Sequence, residues 1–190
     1  MTNARSRQPG NTIFTIGHGA RSEAEFHKIL SGAEIGLLVD VRRHPGSRRH
    51  PHFARDALAE SLPRVGIVYE WWGEALGGRR KMDDSAGNRH VSWRNRSFRA
   101  YAGYMETPDF RVALEALREQ ARSTRVAVMC AETLWWRCHR RLIADALVTG
   151  GREVIHLGLG KGQPHHLSEA CRIDQSGLLV YDAPPRHPSG

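Results

Sequence analysis

The sequence predicts an α/β domain with three layers (α/β/α), in which helices cover both faces of a mostly parallel sheet. Three observations lead to this prediction. Glu34–Val41 has an uninterrupted apolar centre, which is typical of a strand buried on both faces. Such runs alternate with helical patterns along the chain, which implies parallel strands joined by right-handed crossovers. A length of 190 residues with 40% hydrophobic content suits one core.

The first half of the chain supplies the earliest elements. Thr12–Gly17 is a β-branched and aromatic run closed by glycine, which predicts a strand. Ser22 and Glu25 form a capping-box pattern that opens the first predicted helix. A second helix is predicted near Arg55–Leu62, and a short strand is predicted at Gly66–Trp71.

Capping signals and apolar runs place the later elements. Thr107 and Pro108 form an N-cap followed by proline in the first helical position, so a helix begins there and ends near Arg122. The other predicted elements are a helix at Phe98–Met105, a strand at Arg125–Cys130, a helix at Arg137–Val148, a strand at Arg152–Leu157 and a closing strand at Gly177–Asp182.

Composition along the chain predicts one domain with loose ends. Residues 1–11 and 183–190 are rich in polar residues, proline and glycine, which predicts a disordered N-terminal tail and a loose C-terminal tail around a single domain at 12–182. Residues 77–97 carry many charges and no useful periodicity. They are predicted to form a functional or mobile loop, and whether it closes as a lid is left open.

The charge balance is compatible with an anionic partner, and the small number of cysteines indicates a reducing compartment. Lys and Arg total 28 against 20 acidic residues, a net charge of +8, which fits a phosphate-bearing partner or simply a basic protein without one. Three cysteines are too few for a disulfide framework. We find no apolar run of the ~18 residues that a membrane span needs and no signal-peptide pattern, so a cytoplasmic location without membrane contact is expected.

The predicted strands end at residues that can carry chemistry. In open parallel sheets ligands bind at the carboxyl ends of the strands, so residues distant in sequence would share one rim there. The residues at these ends are His18, Asp40, Arg42, Cys130, Glu132 and His156. The candidate catalytic residues of the expected site are Glu132, His18, His139 and Cys130.

Two of these candidates have structural alternatives. Glu132 could act as a general acid or base among arginines, or it could be a carboxylate held by Arg137 or Arg140. Cys130 could be a nucleophile, a metal ligand or a small buried hydrophobic residue. The residue types alone leave both questions open.

A metal site is a secondary hypothesis. Cys130, Cys138 and His139 are residue types that bind zinc, but seven residues separate the cysteines and the paired CxxC pattern is missing. The leading expectation is therefore no cofactor, with zinc as the alternative. His139 is otherwise expected to pack near the start of a helix.

Arginine and tryptophan side chains are predicted to bind the substrate. Arg42, Arg48 and Arg140 could hold a phosphate through paired guanidinium contacts, and Trp135 could stack on a base. Asp40 could instead be a buried carboxylate that orients Arg42, and the basic loop could simply be solvated. The candidate substrate-binding residues are Asp40, Arg42, Arg48, Cys138, Arg140 and Trp135.

Several separated motifs resemble one known family, domain-of-unknown-function family 488. The resemblance covers about Thr12 to Asp182. It departs at Gly19, where a serine is usual, and at Leu134 and Trp135, where an acidic residue and proline are common. It implies a cytoplasmic α/β domain and names no substrate. The motifs are TIGHG (15–19), LVDVRRHPGS (38–47), GIVY (66–69), ALGG (75–78), FRAYAGYM (98–105), MCAE (129–132) and CHR (138–140).

A weaker similarity is to rhodanese-like sulfurtransferases. In those proteins a strand ending in VDVR precedes a strand ending in a nucleophilic cysteine, an order that Leu38–Arg42 and Cys130 match. Glu132 and the tryptophan-rich loop do not match it.

Three functions follow as hypotheses. The first is an enzyme that acts on a phosphate-bearing substrate, either a nucleotide or nucleic acid. The second is a nucleic-acid-binding accessory protein without catalysis. The third is rhodanese-like cysteine chemistry at Cys130. The oligomeric state is not predicted.

Overall fold

A computed structural model gives the fold of residues 10–46, 48–82 and 89–182. The predicted tail at 183–190, nearly all of the predicted tail at 1–11 and part of the 77–97 segment lie outside these described residues.

Eight strands and six α-helices occur among the described residues. The strands are β1 (Thr12–Gly17), β2 (Leu37–Asp40), β3 (Val68–Trp71), β4 (Val126–Cys130), β5 (Glu153–His156), β6 (Gln163–Pro164), β7 (Cys171–Ile173) and β8 (Leu179–Tyr181). The helices are α1 (Glu23–Gly32), α2 (Arg55–Ser61), α3 (Gly73–Leu76), α4 (Arg96–Tyr104), α5 (Pro108–Ser123) and α6 (Arg140–Thr149). Short 3₁₀ turns lie at Pro51–Phe53, Pro63–Val65 and Trp135–Arg137.

The central sheet has six strands in the order β3-β2-β4-β1-β5-β6. The first five strands run parallel to one another, and β6 pairs antiparallel with β5. Because the strands are parallel, the carboxyl ends of β1 to β5 all lie along one edge of the sheet. The predicted α/β fold with a mostly parallel sheet is therefore confirmed.

Two hydrophobic clusters lie on the two faces of the sheet. Successive strand residues point to opposite faces. Ile13 accordingly packs in one cluster with residues of α4, α5 and α6, whereas Phe14 packs in the other with residues of α1 and α2. The helices thus form one layer on each side of the sheet, as expected for three layers.

Local capping explains where the predicted helices begin. The Ser22 hydroxyl accepts from the amide of Glu25, whose carboxylate accepts in return from the Ser22 amide, so both halves of the capping box are present. At α5, Thr107 caps the helix and Pro108 occupies its first turn, where its missing amide hydrogen is not needed.

The helix predicted from Arg137 begins three residues later, at Arg140. Trp135–Arg137 form a 3₁₀ turn, and Cys138 is extended with φ −126° and ψ 150°, which interrupts any helix there. The predicted closing strand does not join the main sheet, because β8 pairs with β7 in a separate two-stranded sheet. Of the helices in the described ranges, none combines the length and apolarity required to cross a membrane.

Candidate functional site

A cavity of about 480 Å³ opens beside the carboxyl ends of β2 and β4. Its wall comes from the segments after these strands, from the chain after α3 and from the start of α4. Four arginines line it, with a single carboxylate among the described lining residues. They are Arg42, Arg43, Arg79 and Arg137, and the carboxylate is Glu132.

Arg42 lines this cavity, and hydrogen bonds hold its side chain in one orientation. Its Nε donates to both carboxylate oxygens of Asp40, at 2.9 and 3.1 Å, and its Nη2 donates to Oδ2 at 2.6 Å. The Tyr69 hydroxyl also donates to Asp40 Oδ2, at 2.8 Å. Burial opposes the charge of Arg42, but hydrogen bonds to Asp40 and its negative charge outweigh that effect and raise the pKa of the guanidinium. Arg42 is therefore a permanent cation in one orientation.

His18 supports Arg42 from outside the cavity. Its ring stacks on Phe53 with 4.3 Å between centroids, and its Nδ1 lies 2.9 Å from the carbonyl oxygen of Gly19. A carbonyl oxygen only accepts, so Nδ1 carries the hydrogen and Nε2 accepts from Arg42 Nη1 at 3.2 Å. Burial, and then the charge of Arg42, lower the pKa of His18 to about 4. The ring is thus neutral near pH 7.

Two cysteines and a histidine converge on the cavity wall. His139 Nδ1 lies 3.9 Å from Cys130 Sγ and 3.7 Å from Cys138 Sγ. The hydrogen bond to Cys138, reinforced by burial, raises the pKa of the Cys130 thiol well above its ordinary value. Burial would also raise the pKa of Cys138, but the hydrogen bond from Cys130 and the nearby His139 and Arg140 lower it well below the ordinary value. Of the two sulfurs, Cys138 is the one that ionises first.

Glu132 lies in the turn that follows β4. Its Oε1 accepts from the backbone amide of Leu134 at 3.1 Å, and the side chain is exposed and lines the cavity. This bond orients the carboxylate but leaves its second oxygen available. The carboxylate lies at the cavity surface, where a proton can be exchanged with a bound molecule. The position suits the predicted catalytic role of Glu132, which stays a prediction.

Arg140 lies below the cavity rather than in its wall. The side chain is 1% exposed, and its Nη2 donates to the carbonyl oxygen of Glu132. Its Nε points to Cys138 Sγ at 3.5 Å, and its Nη1 points to Thr15 Oγ1 at 3.4 Å. Arg140 holds the turn and contacts the Cys138 sulfur, and it is not among the residues that line the cavity. Its predicted contact with the substrate stays a prediction.

Two other predicted substrate-binding residues lie away from the cavity. Trp135 stacks flat on His156, with centroids 4.2 Å apart and planes 6° apart, and its Nε1 donates to Gln163. Arg48 is exposed on the basic loop and does not line the cavity. The structure therefore brings together Arg42, Cys130, Glu132, Cys138 and His139, with Asp40 and His18 behind Arg42.

A buried polar chain leads away from the site. His156 Nδ1 lies 2.6 Å from Thr15 Oγ1, and its Nε2 lies 3.0 Å from His165 Nδ1. His165 Nε2 lies 2.9 Å from Asp145 Oδ1, and the Tyr181 hydroxyl donates to Asp145 Oδ2 at 2.9 Å. Sequence reasoning named His156 at the end of its strand but missed the other members. The signal that could have found Asp145 is an acidic residue inside the apolar stretch LIADAL.

The chain has one consistent direction of donation. Burial, and then His165, lower the pKa of His156 to about 3, so this ring is neutral. His165 donates to the Asp145 carboxylate through Nε2 and accepts from His156 through Nδ1. Thr15 then donates to His156 and accepts from Arg140, since guanidinium only donates. The donors thus all point from the buried cation to the buried carboxylate.

One family model matches the chain. It carries the description "Domain of unknown function DUF488" and matches residues 22–147, about two thirds of the sequence. This range contains Asp40 and Arg42 together with the Cys130–Arg140 segment, whereas His18 lies just before it. Neither the curated proteins nor the solved structures include a match to the chain.

Proposed function

The chain belongs to the DUF488 family, whose description assigns no function, and we propose that it is an enzyme acting on a small phosphate-bearing substrate of nucleotide size. The charge of the cavity carries this proposal, since four arginines and one carboxylate are found among its described lining residues. Arginine presents a planar fork of donors that matches phosphate oxygens. A volume of about 480 Å³ suits a small molecule rather than a folded partner.

The fixed position of Arg42 supports anion binding. When a mobile side chain becomes ordered on binding, the loss of conformational entropy offsets part of the favourable free energy of the contact. Arg42 is already held by Asp40 and His18. An incoming phosphate would therefore meet a cation that loses little freedom, while Arg79 and Arg137, both exposed, could close on it from the rim.

Other wall residues support a nucleotide-like substrate. Phe98 and Tyr101 supply an apolar part of the wall, which suits a base or a sugar face. Glu132 is the one carboxylate among the described lining residues, and we assign it the proton transfer of the reaction.

Ligand binding to matched variants tests the substrate class. Nucleoside mono-, di- and triphosphates and their parent nucleosides are titrated against the native chain, Arg137→Gln and Arg48→Gln. Both substitutions remove one exposed positive charge, but only Arg137 lines the cavity. We expect Arg137→Gln to weaken phosphate binding by about tenfold or more, and Arg48→Gln to leave it nearly unchanged.

Two outcomes would contradict the proposal. The cavity is not a phosphate site if nucleosides bind as tightly as their phosphates, or if both arginine variants weaken binding equally. A second experiment seeks turnover. Every phosphate compound that binds is incubated with the chain, and its products are measured by mass spectrometry. Glu132→Gln should keep the binding and lower the turnover rate by about 10²-fold or more. Unchanged turnover in this variant would remove Glu132 from the chemistry.

A second candidate is nucleic-acid binding without catalysis. The exposed Arg48 and Arg49, which lie outside the cavity, favour it together with the net charge of +8. Counterion release would make such binding fall steeply with salt. In a salt titration with labelled single-stranded RNA and DNA, this candidate predicts a larger loss for Arg48→Gln than for Arg137→Gln. Binding that does not change between low and high salt argues against it.

A further inference from the structure

Cys130, Cys138 and His139 present three donor atoms to one point. The two sulfurs and the His139 Nδ1 all lie within 4.8 Å of one another, with sulfur to nitrogen distances of 3.9 and 3.7 Å. A tetrahedral zinc ion, with bonds of about 2.3 Å to sulfur and about 2.0 Å to nitrogen, separates these ligands by about 3.6 Å. The two sulfur–nitrogen distances thus already lie within a few tenths of an ångström of that spacing, and the two sulfurs lie within 4.8 Å of each other.

Neighbouring elements hold this arrangement. Cys130 is the last residue of β4, and Cys138 is extended just before α6, so the sulfurs approach each other across the turn. The His139 ring meets the edge or face of Tyr101 with 5.0 Å between centroids, and Arg140 Nε points to Cys138 Sγ. The ligand atoms would therefore lose little freedom when an ion binds.

Gly78 keeps the approach to the histidine open. A Cβ atom at this position would lie 3.1 Å from His139 Nδ1, which is the nitrogen that faces the sulfurs. The absence of a side chain leaves space beside that atom. This observation is independent of the cysteines, and it favours an ion next to Nδ1.

We propose that Cys130, Cys138 and His139 bind one zinc-class divalent ion, with its fourth coordination position facing the cavity. Two thiolates and an imidazole are donors that such ions prefer in tetrahedral geometry. All three residues line the cavity, so the remaining position is directed to the space that a substrate would fill. Three protein ligands with one open position are typical of catalytic rather than structural zinc. Two thiolate charges and one divalent cation also cancel.

The role of the ion rests on the proposed function, whereas the site itself does not. A water molecule at the open position would have its pKa lowered towards neutrality. Glu132, two residues after Cys130 in the same cavity wall, would accept one of its protons. The resulting hydroxide would form a bond to the electrophilic centre of the substrate, the bond to the leaving group would break, and Glu132 would return the proton to that group. The net reaction is hydrolysis.

Cobalt and zinc loading of the full chain tests the site. After removal of metal with a chelator, we expect the native chain to bind about one zinc ion. We expect its cobalt form to show a thiolate-to-cobalt charge-transfer band and the strong visible bands of tetrahedral cobalt. Cys130→Ser and Cys138→Ser should lose the charge-transfer intensity and most of the affinity. Cys171→Ser is the matched control, because this free cysteine lies outside the cluster.

A measurement on the native chain avoids any folding defect of the variants. Alkylation of each cysteine is followed by mass spectrometry with and without zinc. We expect zinc to slow the labelling of Cys130 and Cys138 by about tenfold or more and to leave Cys171 unchanged. The site is wrong if all three cysteines react at the same rates in both conditions, or if cobalt binds without a thiolate band.

These outcomes separate the two proposals. Metal binding that persists while no phosphate compound binds removes the proposed substrate class and leaves the metal site. Phosphate binding to a chain that takes up no zinc or cobalt removes the metal site and leaves the substrate class.

Discussion

Asp40 accepts three hydrogen bonds from the side chain of Arg42 and a fourth from its backbone amide, and both residues are buried. The pair closes β2 and fixes the first cation of the cavity. Since two charges are withdrawn from water together, the energetic consequence of the pair appears mainly when one partner is removed.

Asp40→Asn should destabilise the fold strongly. The substitution leaves the buried guanidinium of Arg42 without its counter-charge, which is expected to lower the free energy of unfolding by about 3–5 kcal/mol. Tyr69→Phe is the control, because it removes one hydrogen bond to Asp40 and should lower that free energy by about 1 kcal/mol. Urea unfolding measures both. Equal effects of the two variants would mean that the charge of Asp40 contributes little.

Acid should destabilise the protein through His18 and His156. Their pKa values are lowered to about 4 and about 3 in the folded state, mainly by burial, against an ordinary value near 6.5. Between these limits the unfolded chain binds protons that the folded chain does not, so stability present above pH 6.5 is lost as pH falls. Each histidine should remove about 1 kcal/mol between about pH 7.5 and about pH 5.5.

Urea unfolding at the two pH values checks this effect. His44→Gln serves as the control, since His44 is exposed, and it should reproduce the pH dependence of the native chain. His156→Gln should show a smaller loss in acid than the native chain. A native stability that does not change over this range would contradict the neutral state of both rings.

Alanine at two glycines should have opposite effects. A Cβ at Gly17 would overlap the carbonyl oxygen of Glu132 and lie 2.8 Å from Arg140 Nη2, so Gly17→Ala must displace the turn that carries Glu132. A Cβ at Gly103, within α4, meets nothing within 4 Å, and alanine there should raise stability by about 0.5–1 kcal/mol. Thermal melting of both variants measures the change in stability. A stable Gly17→Ala chain would mean that the turn moves freely.

Asp145→Ala should disrupt the buried polar chain. His165 and Tyr181 both donate to this carboxylate, which is 0% exposed, and they would lose their acceptor. The expected loss is about 3 kcal/mol or more, whereas Tyr181→Phe should lose about 1 kcal/mol. Urea unfolding again measures the difference. If Tyr181→Phe is as damaging as Asp145→Ala, packing of the tyrosine ring matters more than the carboxylate.

Features set within a few residues could be predicted from the sequence. The capping box of Ser22 and Glu25 and the Thr107–Pro108 start of α5 depend on neighbouring residues only, and both are present. The order of the strands could not be predicted, because it depends on pairings between segments far apart. The separate β7–β8 sheet could not be predicted for the same reason.

The site could be placed but not assembled from sequence. Asp40 and Cys130 end strands, and Arg42 and Glu132 lie two residues after these ends, so their common edge was predictable. The side-chain directions were not. The late start of α6 turns Arg140 inward to Thr15 and leaves Trp135 stacked on His156. These contacts depend on backbone angles at Cys138 that no local pattern signals.

The central place of β1 in the sheet has a consequence for how the chain folds. This strand pairs with β4 and β5, and its Thr15 meets His156, which lies 141 residues later. Contacts over such separations form slowly, because a long loop must close before they are gained. During synthesis the cavity wall therefore cannot be completed until β4 and the segment up to His139 have emerged, and β1 keeps an unpaired edge until β5 follows.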